Sequence, residues 1–254
     1  MEHLIETKRL SLQIDSLKGQ KQIILKDIHL SINPGEFVTI MGPSGCGKTS
    51  LLYQLSGIES ASTGEIKYKG SLLSEMTDKQ LTALRLTDMG FVFQHSHLLK
   101  NLNLFDNIIV AAYLTKKKPR KEVNERARYL MAKLDIDHLA DRYLSEVSGG
   151  QLQRVSICRA LMNEPDILFA DEPTGALNSN ATKEVMNIFS KIHSEGATLL
   201  LVTHDPKVAL RSERIMFMND GEITASLHLG RYDDESTAEK RETRLNQWLQ
   251  DLGF

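Results

Sequence analysis

The run Gly42-Pro43-Ser44-Gly45-Cys46-Gly47-Lys48-Thr49 decides the fold. It follows an apolar, β-type stretch at 36–41 and precedes residues 50–55, whose pattern predicts a helix. The motif G-x-x-x-x-G-K-[ST] between a strand and a helix is typical of a loop that binds phosphate. Its glycines let main-chain N–H groups approach phosphate oxygens with no Cβ in the way. The helix N-terminus adds a partial positive charge.

The side chains of this loop predict a bound nucleoside triphosphate and a divalent cation. Lys48 supplies a positive charge for the β- and γ-phosphates, and the Thr49 hydroxyl is placed to bind Mg²⁺. The alternative is a glycine-rich turn that binds nothing. The residues that we expect to contact the nucleotide in this loop are Gly42, Pro43, Ser44, Gly45, Cys46, Gly47, Lys48, Thr49 and Ser50.

Composition narrows the class of protein. The 31 basic residues nearly balance the 33 acidic ones in a chain of 254 residues, so no charge excess predicts binding to nucleic acid or to a bare membrane surface. Two cysteines do not make a disulfide framework, which fits a reducing cytosol. The first residues lack a signal-peptide pattern, and the longest plain apolar run, 108–114, is too short to span a bilayer. We therefore expect a cytosolic protein that meets a membrane only through a partner.

Apolar strands alternate with helices along much of the chain. The predicted strands are 36–41, 64–70, 89–94, 166–172 and 197–205, and the predicted helices are 50–55, 77–86, 151–162 and 180–195. This alternation predicts an α/β fold with a mainly parallel sheet that is covered on both faces. Ligands bind at the carboxyl ends of such strands. The features that follow these ends are the phosphate-binding loop, Gln94, Asp171-Glu172 and His204.

Three regions depart from the alternation. Residues 1–36 predict short strands, at 10–14, 23–25 and 28–32, and residues 95–144 predict only helices, at 102–114 and 120–134. The basic run 116–121 is interpreted as a solvated loop, with contact to lipid headgroups as the alternative. At the C-terminus a predicted helix, with a capping box at 236–239, aligns its apolar residues on one face: Leu245, Trp248, Leu249 and Leu252. This helix packs either on the chain's own core or on a second subunit or partner.

The apolar stretch that ends in Asp171-Glu172 is the second chemical feature. Beside a phosphate-binding loop, the first acid would hold Mg²⁺ together with Thr49, and the second would orient and deprotonate the attacking water. The alternative is that both acids only cap the turn at 173–175. His204 on its own would be interpreted as a core or capping histidine, but at the end of its strand we expect it to contact the γ-phosphate.

Three further motifs give the chain a family resemblance. The run Val147-Ser148-Gly149-Gly150-Gln151 resembles the signature loop of the ATP-binding cassette (ABC) ATPases, Phe93-Gln94 their Q-loop and Thr203-His204-Asp205 their H-loop. The motifs occur in the family's order, and the resemblance covers roughly residues 5–225. It implies a P-loop NTPase core with a mainly parallel sheet, an antiparallel N-terminal β subdomain and an inserted helical subdomain.

The resemblance also implies a head-to-tail dimer with two ATP molecules between the subunits. Each site would join the phosphate-binding loop of one subunit to the signature loop of the other, whose nucleotide contacts are Ser148, Gly149, Gly150 and Gln151. The physical chemistry agrees, because an N-cap serine followed by two glycines at a helix N-terminus is a second anion-binding site. ATP binding would close the dimer and hydrolysis would reopen it.

The roles that the resemblance implies for single residues complete the expected site. Gln94 would bind Mg²⁺ with Thr49 and Asp171, sense the γ-phosphate and move the helical insert, which in the family docks on an integral-membrane permease. The protein would be cytoplasmic and peripheral on the inner face of the cell membrane. The expected catalytic residues are Lys48, Glu172 and His204.

The chain departs from the family's pattern at several positions. No aromatic residue precedes Phe37, so adenine would contact aliphatic side chains such as Ile14 instead of stacking on a ring. Asn178 replaces the usual aspartate, which removes a charge from the loop that couples the subunits. We interpret Cys46 as a neutral filler at a tolerant position. The alternative is a thiolate, favoured by the nearby helix N-terminus, whose alkylation ATP would prevent.

The motif variants indicate a branch of the family. The run 90–94, followed by Leu98-Leu99, and the run 170–175 resemble the branch that serves macrolide exporters, lipoprotein-release systems and bacitracin-type peptide-resistance transporters. We expect an ATP-hydrolysing subunit that powers a permease. The alternatives are a divisome-type or other non-transport ABC ATPase on a membrane scaffold, and a nucleotide switch that hydrolyses poorly. The expected boundaries are an ABC ATPase domain at 1–225, with core 1–94 and 155–225 and helical insert 95–154, and a C-terminal linker and helix at 226–254.

Overall fold

The computed structural model describes residues 3–15, 21–232 and 238–254. The strands are β1 (Ile5–Asp15), β2 (Lys21–Ile32), β3 (Phe37–Met41), β4 (Thr63–Tyr68), β5 (Ser71–Leu72), β6 (Met89–Phe93), β7 (Ile167–Asp171), β8 (Thr198–Thr203), β9 (Arg214–Asn219) and β10 (Glu222–His228). The helices are α1 (Lys48–Leu55), α2 (Asp78–Thr87), α3 (Leu104–Thr115), α4 (Arg120–Lys133), α5 (Gly149–Leu161), α6 (Ser179–Ser194), α7 (Pro206–Ala209) and α8 (Ala238–Asp251). Within the described ranges, no helix is both long enough and apolar enough to cross a bilayer.

The chain divides into two compact units. The first combines Met1–Leu81 with Thr198–Phe254, and the second is Thr82–Ala197. The domain boundaries expected from the sequence, with a helical insert at 95–154, stay a prediction, because the division into compact units does not test them.

The first unit contains two sets of paired strands. β1 pairs antiparallel with β2 and β4, and β5 adds to β4. β3 lies between β8 and β9, parallel to both, and β10 pairs antiparallel with β9. Every residue of β3 and β8 is buried, as expected for parallel strands covered on both faces.

The long β1–β2 hairpin differs from the prediction of separate short strands. β2 continues through Lys26-Asp27, which the sequence suggested as a break between two strands. The pairing passes from Leu10↔Ile28 to Leu12↔Leu25, so the register shifts at this point. Asp27 has φ +48° and donates its N–H to Ser11 Oγ at 3.0 Å. A β-bulge therefore accommodates the polar pair without ending the strand.

The second unit pairs β6 with β7 in parallel and carries α3 to α6. The helices predicted at 102–114 and 120–134 are present with small shifts of their ends. α3 begins at Leu104 because Asn103 is its N-cap, with the side-chain oxygen accepting the Asp106 N–H at 2.7 Å. The predicted capping box of α2 is also present, with the Thr77 N–H donating to Gln80 Oε1 at 2.8 Å.

The C-terminal helix α8 packs on the chain's own core. Leu245 and Leu249 are buried in a cluster with Met41 and Phe217, and the Trp248 ring meets Phe217 edge-on at 6.1 Å between centroids. Arg241 reinforces this packing by donating to five main-chain oxygens, those of Leu210, Ser212, Leu229, Gly230 and Arg231. Of the two interpretations of the apolar face, the structure supports packing on the core. The capping box predicted at 236–239 involves Ser236 and Thr237, which lie outside the described residues.

We expect Leu249→Ala to lower the free energy of unfolding by about 2–5 kcal/mol, because it leaves a cavity under α8. Urea unfolding, followed by the fluorescence of Trp248, measures this change. Asn246→Ala, on the exposed side of the same helix, should remain within about 0.5 kcal/mol of the parent protein. Equal stability of the two variants would show that the face does not support the core.

Candidate active site

The phosphate-binding loop has a backbone that only glycine can adopt at two positions. A Cβ on Gly42 would lie 2.0 Å from the main-chain oxygen of Met218. Gly47 has φ +105°, and a Cβ there would lie 2.9 Å from the main-chain oxygen of Ile24. Gly47 is also the N-cap of α1 and makes no side-chain cap. The N-terminus of α1 therefore follows directly on the loop, and the partial positive charge of a helix N-terminus favours an anion there.

Lys48 is folded over the loop that it belongs to. Its side chain is buried, and Nζ donates to the main-chain oxygens of Gly42 and Pro43 at 2.9 Å each. The ammonium group is thus fixed at the loop rather than extended into solvent. Gly45, with φ +82° and open space where a Cβ would be, leaves room on the exposed side. A cradle of this kind fits the phosphates of a nucleotide.

The alternative of a thiolate at Cys46 is not supported by the structure. The side chain is buried, and burial raises the pKa of its thiol more than the nearby Lys48 and main-chain N–H groups lower it. Position near a helix N-terminus favours the anion only where water can also reach the sulfur. Cys46 is therefore a neutral filler beneath the loop, which was the favoured interpretation of the sequence.

His204 lies at the same sheet edge as the phosphate-binding loop. The β3–β8 register pairs Met41 with Thr203, so Gly42 and His204 follow their strands side by side. His204 is exposed, which excludes the core interpretation. The cap of α7 is Asp205, whose Oδ1 accepts the Lys207 N–H at 2.9 Å.

In the second unit, the pairing of β6 with β7 brings Gln94 to the acidic pair. Phe93 is opposite Asp171, so Gln94 and Glu172 follow at one edge. A Cβ on Gly175 would lie 2.9 Å from Gln94 Nε2, which shows that the amide rests against the loop after the acids.

Glu172 has an unusual backbone conformation. Its φ is +45°, in the left-handed region that residues with a Cβ seldom adopt. The turn that follows is closed by the main chain, with the Gly175 N–H donating to the Glu172 main-chain oxygen at 3.0 Å. Backbone strain of this kind is concentrated at functional sites.

The signature-like loop forms a capped helix N-terminus. Ser148 Oγ accepts the Gln151 N–H at 3.3 Å, and Gln151 Oε1 accepts the Ser148 N–H at 2.8 Å. The helix therefore begins at Gly149, two residues before the predicted start. Gly149 and Gly150 occupy its first two positions, where main-chain N–H groups have no partner within the helix.

The loop at Asn178 packs beside this N-terminus. A Cβ on Gly149 would lie 3.4 Å from Leu177 Cδ2, and one on Gly150 would lie 3.1 Å from the Ala181 Cβ. Asn178 caps α6, because its Oδ1 accepts the Ala181 N–H at 2.9 Å. Asparagine and aspartate are comparable N-caps, so the substitution keeps the local structure of this loop.

Sequence reasoning did not identify two polar residues of α5, the buried Gln153 and the half-buried Arg159. Gln153 donates to the main-chain oxygen of Phe93 at the end of β6, and Arg159 donates to those of Ser96 and His97 just after it. The available signal was a polar residue, Gln153, among apolar residues of a helix, because buried polar groups need hydrogen-bond partners. The sequence did not identify its partner, which lies about 60 residues away.

The sequence profile of the ABC transporter family matches residues 25–175. The chain belongs to the ABC transporter family. The resemblance drawn from the motifs is thereby confirmed, and so is the P-loop NTPase fold class.

Three curated relatives show the range of proteins to which this ABC ATPase is similar. It is 42% identical to the bacitracin export ATP-binding protein BceA of Halalkalibacterium halodurans, over 86% of this chain and 85% of that protein. It is 43% identical to the lipoprotein-releasing system ATP-binding protein LolD of Aquifex aeolicus, over 80% of this chain and 91% of that protein. It is 46% identical to a probable export ATP-binding/permease protein MacB of Pseudomonas entomophila, but it spans only 31% of that protein's length.

Two solved structures support the fold. A dimeric bacterial ABC transporter cassette aligns with TM-score 0.83 and 33% identity, over 90% of this chain and all of that chain. A dimeric post-hydrolysis ATP-binding cassette bound to ADP and phosphate aligns with TM-score 0.82 and 32% identity, over the same shares. This ABC ATPase therefore has the ATP-binding cassette fold.

Proposed function

We propose that this ABC ATPase is the ATP-hydrolysing subunit of an export-type or peptide-resistance transporter, and that two copies enclose two ATP molecules head to tail. The observation that carries the proposal is the capped N-terminus at Ser148, with Gly149 and Gly150 at its first two positions. It is a second anion-binding site, in addition to the phosphate-binding loop at 42–49. Similarity to the bacitracin export and lipoprotein-releasing proteins supports the proposed role in a transporter, and similarity to a dimeric cassette supports the proposed dimer.

Nucleotide binding begins at the phosphate-binding loop. Lys48 holds the β- and γ-phosphates, and main-chain N–H groups of the loop, which Pro43 lacks, bind the oxygens around them. When bound, Mg²⁺ neutralises charge on the phosphates and aligns the γ-phosphoryl group. Thr49, Asp171 and Gln94 are the protein groups suited to hold it.

The residues fit magnesium rather than a metal with a full set of protein ligands. Among the described residues, no group of three or more His, Cys, Asp or Glu side chains is arranged to hold a metal ion. Mg²⁺ keeps several waters and usually takes one or two carboxylates together with substrate phosphates. Asp171, with the Thr49 hydroxyl, matches that requirement.

Hydrolysis needs a base and a group that holds the γ-phosphate. Glu172 follows the metal-binding acid directly, and we assign it the role of accepting the proton from the attacking water. His204, exposed at the edge where Gly42 also lies, contacts the γ-phosphate. The signature loop of the second copy completes the site through Ser148, Gly149, Gly150 and Gln151. Loss of the γ-phosphate on hydrolysis releases this loop.

The permease places the protein at the membrane. ATP-driven closure of the two copies moves the helical region after Gln94, which docks on the integral-membrane subunit at the cytoplasmic face. Co-purification with a polytopic permease would support this assembly, whereas association only with a divisome scaffold would support the alternative.

Ile14 offers adenine an aliphatic contact in place of an aromatic ring. Its side chain is 46% exposed near the C-terminal end of β1, and Ile24 of β2 lies against Gly47 of the loop. We expect Ile14→Tyr to strengthen ATP binding by about 1 kcal/mol, because stacking a base on an aromatic ring is worth about 1–3 kcal/mol. Fluorescence titration with ATP measures this change, and Ile58→Tyr, at another exposed isoleucine, is the control. An equal effect of both substitutions would contradict the placement of the base.

The test of the proposed function is phosphate release by the purified chain with Mg²⁺ and ATP. We expect turnover per molecule to rise with protein concentration, because the complete site needs two copies, and to stop when a chelator removes Mg²⁺. Turnover that is independent of concentration, or that continues in excess chelator, would contradict the proposal.

A further inference from the structure

The segment that follows β6 is held against α5 by two side chains of that helix. Gln153 Nε2 donates to the main-chain oxygen of Phe93 at 3.0 Å. Arg159 donates through Nη2 to the oxygen of Ser96 at 2.6 Å and through Nη1 to the oxygen of His97 at 2.9 Å. Three bonds therefore fix the start of the segment to one helix.

The segment, which we call the strap (residues 93–99), runs alongside the helix. Gln153 and Arg159 are about 9 Å apart along the helix axis, because an α-helix rises about 1.5 Å per residue. Three residues of extended chain span about 10 Å. The two donors are thus spaced to hold Phe93 and Ser96 at the same time.

The far end of the strap is fixed by α3. The Leu99 N–H donates to Asn107 Oδ1 at 2.7 Å, and Asn107 Nδ2 donates back to the Leu99 oxygen at 3.1 Å. Asn107 is fully buried. Gln94 and His95, between the fixed points, are exposed. The strap therefore presents Gln94 to the site while its main chain is tied to two helices.

Of the two donors of α5, Gln153 is buried and Arg159 is half-buried. Gln153 is 3% exposed, and burial lowers the pKa of the Arg159 guanidinium. A buried donor that loses its acceptor pays its desolvation cost in full. Separation of the strap from α5 is therefore unfavourable.

The opposite end of the same helix is the loop at Ser148. α5 is continuous from Gly149 to Leu161, with Ser148 as its cap. Gln94, on the strap, lies against Gly175 in the loop after the acids. The helix α5 thus links Gln94, which lies against the loop after Glu172, to the anion-binding loop at Ser148.

We propose that Arg159 and Gln153 are positioning residues that make the strap and α5 move as one body, so that a shift at Gln94 is delivered to the Ser148 loop. This inference rests on the proposed function, in which Gln94 responds to the γ-phosphate and Ser148 binds the partner's nucleotide. Loss of the ties would leave nucleotide binding by one copy intact and weaken closure of two copies.

The test uses the full chain carrying Glu172→Gln, which keeps ATP intact, and measures two quantities. The first is ATP affinity at a protein concentration too low for dimers. The second is the ATP concentration that gives half-maximal dimer by light scattering. We expect Arg159→Met to raise the ATP concentration for half-maximal dimer by about tenfold, because site-to-site coupling typically lies between 5- and 150-fold. The ATP affinity of the single copy should change by less than about twofold. Arg159→Lys should recover part of the loss, and Gln153→Leu should shift dimer formation in the same direction by a smaller factor.

Arg126→Met is the matched control. Arg126 of α4 also donates to main-chain oxygens at the end of α5, those of Leu161 and Met162 at 2.8 Å each, and neither acceptor belongs to the strap. We expect it to leave the half-maximal ATP concentration unchanged. An equal shift with Arg126→Met, or no shift with Arg159→Met and Gln153→Leu, would overturn the proposal.

Two further results separate a folding defect of the variant from a failure of the proposed function. If Arg159→Met loses its helical circular dichroism, Gln153→Leu decides by the same criteria. If the Glu172→Gln chain itself stays monomeric with ATP, the proposed function fails, and the inference that rests on it falls too.

Discussion

Lys48→Ala abolishes measurable ATP binding, which is the largest effect that we expect of any single substitution. The buried ammonium is fixed at the loop by the Gly42 and Pro43 oxygens, so its position is set before a nucleotide arrives. Charge-assisted hydrogen bonds are the strongest in proteins and contribute about 1.5–3 kcal/mol each. Loss of two such bonds from Lys48 to the phosphates therefore weakens ATP binding by at least about 100-fold. Equilibrium dialysis with labelled ATP measures this loss.

A second lysine beside the loop provides the control. Lys26 lies on β2, where its main-chain N–H donates to the Gly221 oxygen and its side chain reaches Glu222 at 3.7 Å. Its ammonium is not part of the cradle, so Lys26→Ala should keep ATP affinity within about twofold, as surface charges contribute little. ATP binding by Lys48→Ala at the parent affinity would show that the loop does not hold the phosphates.

Glu172→Gln traps an ATP-bound dimer, which is the second large effect. The amide keeps the size and one oxygen of the carboxylate but does not accept a proton, so we expect turnover to fall by about 10²–10⁴-fold. Binding survives because Lys48 and Thr49 are unchanged. Without hydrolysis the γ-phosphate stays between the two copies, and the dimer accumulates. Size-exclusion chromatography with light scattering, in Mg²⁺ and ATP, measures the mass.

Glu164→Gln is the matched control for this variant. Glu164 is another acid of the second unit, and its contacts with Lys118 and Arg126 lower the pKa of its carboxyl. It has no place in the proposed chemistry, so turnover should stay within about twofold of the parent and no dimer should accumulate. A Glu172→Gln chain that hydrolyses ATP at the parent rate would remove the base from the mechanism.

Local chemistry explains which features the sequence could predict. Glycine spacing and Lys48 predict the phosphate-binding loop because the backbone conformation depends on those residues alone. Ser148 and Gln151 predict the helix cap for the same reason. Near-continuous apolar runs predict the buried parallel strands, because parallel strands are covered on both faces and bury every side chain.

Features that depend on distant partners were missed or misread. The bulge at Asp27 needs the Ser11 hydroxyl of the paired strand, so the pair Lys26-Asp27 alone suggested a break. The pKa of Cys46 depends on the atoms that bury it, whereas the helix terminus alone, in the alternative interpretation, favours the opposite direction. Arg159 and Gln153 find their acceptors about 60 residues away. Long-range contacts of this kind leave no local signal.

The central claim is that neither copy holds a complete reaction centre, and complementation tests it most directly. Lys48→Ala removes the positive charge that binds the phosphates at the loop of one copy. Gly149→Asp places a negative charge at the signature loop of the other copy. The new Cβ at Gly149 meets only Leu177, at an ordinary 3.4 Å, so this variant should fold. A mixed dimer has one intact site, formed by the loop of the Gly149→Asp copy and the Ser148–Gly150 end of the Lys48→Ala copy.

The measurement is the turnover of the two variants apart and in equal mixture. Each variant alone should be inactive, and the mixture should regain about a quarter of the parent turnover, since half of the dimers are mixed and each holds one of two sites. A mixture as inactive as its components, or full activity of Gly149→Asp alone, would contradict the shared site.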